Sequence, residues 1–112
     1  MSAAAIWNIR DMERRADYNL PLQLFAEDDE PINLTGWTVK AQIWNEGRTV
    51  KYTDWSVTYI NRTLGEIEID LTASQTALLP IEAFYDVLLI NPSGFREYYL
   101  KGKIEPDEGR TE

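Results

Sequence analysis

Apolar and polar residues alternate one by one where Trp37, Val39, Ala41 and Ile43 are interleaved with Thr38, Lys40 and Gln42. A period of two sends successive side chains to opposite faces of a β-strand, so this stretch predicts a half-buried strand with the Trp37 set turned inward. Ile67, Ile69 and Leu71 against Glu66, Glu68 and Asp70 predict a second such strand, apolar in and acidic out. Leu20, Leu22 and Leu24 against Asn19, Pro21 and Gln23 predict a third. Pro21 has no N–H to give to a ladder, which places that strand at a sheet edge or at a bulge. A less regular strand is expected over 50–60, built on Tyr52, Trp55, Val57 and Tyr59, and a closing strand over about 96–104. Residues 84–90 are apolar on both faces apart from Asp86.

Turn chemistry separates these runs. The acidic stretch Glu27-Asp28-Asp29-Glu30 before Pro31, then Asn45-Glu46-Gly47, the hairpin loop Asn61-Arg62-Thr63-Leu64-Gly65 and Asn91-Pro92-Ser93-Gly94 all carry the residues that tight turns select. Asn33-Leu34-Thr35-Gly36 forms a corner leading into Trp37. In it, Gly36 permits the turn, Trp37 plugs the core and Leu34 seals the loop beneath. Thr72 with Gln75 three residues on has capping-box spacing, so a single short helix is expected within 72–79, ended with the help of Pro80. The N-terminal stretch stays open between a first strand on Ile6, Trp7 and Ile9 and a loop or short helix over 11–15. Short strands with regular turns predict one all-β domain: an antiparallel β-sandwich with one short helix, a core over about 6–104 and a tail over 105–112.

Composition narrows the function. The 112-residue chain has a net charge of −8, which disfavours nucleic acid and anionic membrane surfaces as partners. It has no Cys and no His, so Ser-His-Asp and Cys-His catalysis are excluded and the commonest transition-metal ligands are absent. No phosphate-binding, zinc or redox motif occurs, and no catalytic residue, metal or cofactor is expected. The acidic run 27–30 lacks the ligand alternation of a calcium loop and reads as a solvated turn. No signal peptide or membrane span is expected, and the Asn-x-Thr sequons at Asn33 and Asn61 are taken as chance.

The apolar surplus points to assembly. If Tyr85, Val87 and Leu89 face the core, then Phe84, Leu88 and Ile90 form a stripe with no internal partner; either it is an interface, or the N-terminal segment covers it. The interface is the preferred reading. Trp44 shares the outward parity of Lys40 and Gln42, and Tyr99 is expected to project outward as well.

The ordered set Leu34-Thr35-Gly36-Trp37, Leu71-Thr72 with Gln75-Thr76 and Leu79-Pro80, Tyr85-Asp86, Pro92-Ser93-Gly94 and Gly102-Lys103-Ile104 resembles a family of small tail and baseplate domains of tailed phages. It is similar to the N-terminal domain of upper baseplate proteins. Where that pattern has a glycine before the Tyr-Asp strand, this chain has Ile81-Glu82-Ala83. The resemblance implies an immunoglobulin-like sandwich with no catalytic role. It implies a virion protein, assembled in the host cytoplasm, that docks on other phage structural subunits as part of an oligomeric assembly. A head decoration protein, and a free-standing carbohydrate- or protein-binding module with Trp44 and Tyr99 as stacking residues, stand as alternatives.

Overall fold

The computed structural model describes residues 4–107, which form two facing sheets. The strands are β1 (Ala5–Ile6), β2 (Tyr18–Gln23), β3 (Thr38–Trp44), β4 (Lys51–Asp54), β5 (Ser56–Asn61), β6 (Glu66–Leu71), β7 (Ala83–Ile90) and β8 (Arg96–Ile104). One sheet has the order β1-β8-β7-β3-β4 and the other β2-β6-β5. This is an all-β sandwich with the strand order of an immunoglobulin-like fold: β2, β6 and β5 stand as the B, E and D strands, and β8, β7, β3 and β4 as G, F, C and C′.

The alternating runs become the strands that the period requires. Val39, Ala41 and Ile43 of β3, and Ile67, Ile69 and Leu71 of β6, are buried between the sheets. Pro21 lies on β2, an edge strand whose only partner is β6, so its missing N–H interrupts no ladder. The helix is one turn, α1 (Ala73–Thr76), closed at its start by the expected reciprocal pair. The Gln75 amide N–H donates to Thr72 Oγ1 (3.3 Å), and the Thr72 N–H donates to Gln75 Oε1 (2.8 Å). The corner before β3 turns at Gly36, whose φ of +81° is in the left-handed region that favours glycine. Leu34 is fully buried beneath it.

Four expectations are corrected. The sandwich is not wholly antiparallel, because β1 runs parallel to β8, with Ala5 opposite Leu100 and Ile6 opposite Lys101. The pairing continues beyond both strands. Trp7 N–H donates to Lys101 O (2.9 Å), Glu105 N–H to Ile9 O (3.0 Å) and Asp107 N–H to Met12 O (2.8 Å). Residues 105–107 are therefore held in the fold, residues 11–14 run alongside them without forming a helix, and Ile9 and Met12 join the core. The remainder of the expected tail, 108–112, lies outside the described residues.

The stretch 50–60 is not one strand but two. β4 belongs to the larger sheet and β5 to the smaller, and Trp55 sits at the crossing, 4% exposed. Its ring centroid is 6.1 Å from those of both Tyr18 and Tyr85. Trp55 is thus the tryptophan that fills the core. Trp37, given that role from its parity, packs against the core but is only half-buried, because it precedes β3 at the rim of the sandwich where the opposite sheet has ended.

Candidate docking face and end cleft

The outer face of the larger sheet is set by register. Trp44 lies opposite Phe84, and Phe84 opposite Lys103. Lys40, Leu88 and Tyr98 form a further cross-strand row, and Thr38, Ile90 and Arg96 the one after it. Trp44, Phe84, Leu88 and Ile90 are thus brought to one surface. Phe84, Ile90 and Trp44 are half-buried there. Leu88 is not an open position: it is 7% exposed although it lies outside the central core. Its cross-strand neighbours Lys40 and Tyr98 flank it on the same face, and long side chains lying across a sheet cover a leucine between them. The N-terminal segment does not cover this face, since it extends the sheet at the β8 edge.

Tyr99 is the further correction. The β7–β8 register shifts between Val87 and Leu88, so that Val87 pairs with Leu100 but Leu88 with Tyr98. The extra residue of this bulge is Tyr99, which turns inward and packs against the core. Its hydroxyl accepts a hydrogen bond from the Phe25 N–H (3.0 Å). Tyr98, 53% exposed, takes the outward place. Counting by twos along the chain assigns these two tyrosines the wrong way round, and no local signal marks the bulge.

Between Phe84 and Leu88 sits Asp86, which is buried. Arg48 reaches over from the β3–β4 turn, where its own φ is +58°, and pairs with the Asp86 carboxylate. Burial raises the Asp86 carboxyl above its usual value, and the Arg48 guanidinium pulls it back. Lys51 pairs with Asp54 and Lys103 with Glu82. Lys40, Arg96 and Lys101 are left without an ion pair to any described residue. A chain of strongly negative net charge therefore presents a basic, apolar face.

The outer face of the smaller sheet is the opposite. Glu66, Glu68 and Asp70 run down its central strand, flanked by Asn19, Pro21 and Gln23 on β2 and by Ser56, Thr58 and Asn61 on β5. These three strands contain no Lys or Arg. A side-chain hydrogen bond with the Asp70 carboxyl, and after it the like charge of Asp70, raises the Glu68 carboxyl above its usual value. Arg62, in the β5–β6 loop, does not relieve them. Its guanidinium donates to Leu34 O and Trp37 O (2.9 Å each) and lies over the Tyr59 ring.

At the Trp37 end the sandwich opens into a cleft of about 620 Å³, walled by Phe25, Trp37, Tyr98 and Tyr99 with Asp28, Glu30 and Glu97 beside them. At the other end, Tyr85 is fully buried and its hydroxyl donates to Trp7 O (2.6 Å). Gly102, opposite Tyr85, makes this contact sterically possible. A Cβ there would lie 1.9 Å from Trp7 O and 3.0 Å from the Tyr85 ring. Tyr85 and Gly102 thus act as one clasp on the N-terminal segment. Among the described residues no three acidic side chains converge as metal ligands do.

No protein-family model matches the chain, and no curated protein matches it.

Proposed function

We propose that this protein is a non-enzymatic structural component of a tailed-phage virion. It docks on other subunits of a tail, baseplate or fibre-adaptor assembly through the outer face of its larger sheet. The observation that carries this reading is the set of apolar side chains Trp44, Phe84, Ile90 and Tyr98 on one face of three paired strands. Aromatic side chains on a rigid sheet lose little conformational freedom on docking, and they are the residues that form the dry centres of protein interfaces. The resemblance to baseplate domains supports the location. The absence of His and Cys from the sequence supports a role without catalysis.

The test is a charge on an exposed part of this face. Tyr98→Glu is expected to keep the parental melting temperature within a few degrees and to be lost from purified particles, because the carboxylate would lose its water without gaining a partner. Normal incorporation of this variant would overturn the assignment of the face. Gold-labelled protein seen on the capsid rather than the tail would move the protein to the head. The cleft favours one second reading, a module that stacks a sugar or side chain against Trp37. Quenching of tryptophan fluorescence by a glycan, abolished in Trp37→Ala, would favour it over docking.

A further inference from the structure

The two outer faces of the sandwich carry opposite charge, and they point in opposite directions. One presents Lys40, Arg96 and Lys101 around a set of apolar side chains; the other presents Glu66, Glu68 and Asp70 with no cation on their strands. We propose that the protein assembles head-to-tail, the basic apolar face of one copy docking on the acidic face of the next. The proposal rests on the docking reading above and names the occupant of that face as a second copy of this chain.

Electrostatics selects this pairing over the symmetric ones. Two basic faces brought together repel, and so do two acidic ones, so an isologous dimer through either face sets like charges opposite each other. The one attractive match available within a single species is basic against acidic. Such an interface uses two different patches, so it does not close on itself in a pair; it propagates into a ring or a filament. The acidic stripe gains in the same event. Glu66, Glu68 and Asp70 share one face of β6 with no cation on its strands, and the Lys40 and Arg96 side chains of a neighbour would supply the missing countercharge. The three-stranded face is the narrower of the two, so each contact is weak and association depends on concentration and salt.

Sedimentation velocity of the purified protein over a range of concentrations tests this at ~10 mM and ~1 M salt, where the Debye length is about 30 Å and about 3 Å. Open-ended association is expected at low salt and its loss at high salt. Two double variants then separate head-to-tail pairing from every symmetric alternative. Lys40→Glu with Arg96→Glu makes both faces acidic, and Glu66→Lys with Glu68→Lys makes both basic. Each alone is expected to associate about tenfold more weakly than the parent or worse, and an equimolar mixture is expected to associate again, because every contact between unlike variants is then attractive. Thermal melts of each variant establish that it is folded. A parent that stays monomeric at low salt overturns the proposal, as does a mixture that fails to associate, or sensitivity confined to one of the two faces. If the parent is monomeric while Tyr98→Glu is still lost from particles, the head-to-tail pairing falls and the docking role stands. If self-association follows the expected pattern but the protein is absent from particles, the docking role in a virion falls and the pairing stands.

Discussion

The two ends of the sandwich use the same kind of side chain for different purposes. At one end Tyr18, Trp55 and Tyr85 pack on each other, close the space between the sheets and clasp the N-terminal segment. At the other, Trp37, Tyr98, Tyr99 and Phe25 stand around an open cleft. Seven aromatic residues are involved, and nothing in their local pattern distinguishes the two sets. What separates them is how much chain passes over each end. The closed end has the β4–β5 crossing running through it and the N-terminal segment clasped beside it, whereas the loops at the open end, around Pro31, Arg62 and Pro92, stand around the cleft without filling it. An aromatic residue becomes a core residue only where other segments arrive to cover it.

That difference fixes an order of expected effects. The largest is at the crossing. Trp55→Ala should cost about 3–5 kcal/mol in chemical denaturation, as loss of a buried large aromatic does. The Trp55 indole N–H is buried without a hydrogen-bond partner, so Trp55→Phe should cost clearly less than Trp55→Ala. If Trp37→Ala proves more costly than Trp55→Ala, the ends have been assigned the wrong way round.

Next is the clasp. Gly102→Ala places a methyl against Trp7 O, a backbone atom that cannot rotate away. The expected loss is at the upper end of the about 1–3 kcal/mol typical of overpacking. Amide hydrogen exchange should show the protection of Trp7 and Ile9 lost first. Uniform loss of protection across both sheets would mean that the N-terminal segment is not a separable unit.

Tyr85→Phe leaves Trp7 O without its donor and should cost about 1–3 kcal/mol. Burial raises the Tyr85 hydroxyl above its usual value near 10, and burial together with the hydrogen bond to Asp11 does the same for Tyr18. A raised pKa in the folded state means that the neutral form is the one the fold holds. The stability it contributes is present in full below pH 10 and is lost as pH rises beyond that. Stability should therefore fall in the alkaline range, and Tyr85→Phe should flatten that fall. A parent with no loss of stability above pH 10 would argue against the closed end as described.

The open end should be more tolerant. Trp37→Ala, at a half-exposed position, should cost roughly half the about 3–5 kcal/mol of a buried tryptophan. Tyr99→Phe removes the acceptor of the Phe25 N–H at a partly solvated site and should cost about 0.5–1.5 kcal/mol. Equal costs at the two ends, measured by the same melts, would erase the comparison.

What the sequence alone determined is whatever a few neighbouring residues can enforce. The alternation in β3 and β6, Pro21 on an edge, the Thr72–Gln75 cap and the turns at Gly36 and 91–94 were all legible, because period, missing donors and turn conformations are local properties. Of the candidate docking face, Trp44, Phe84 and Ile90 are legible by the same counting, which also puts Leu88 on that side but does not show that it is covered. What only the tertiary structure decided involves residues far apart in the chain. The parallel N-terminal pairing, the burial of Trp55 in place of Trp37, the Arg48–Asp86 pair and the bulge that turns Tyr99 inward and Tyr98 outward are of this kind. Parity along a strand holds only until one extra residue shifts it, and the free energy that sets such a shift comes from the packing of the partner strand, which no local pattern encodes.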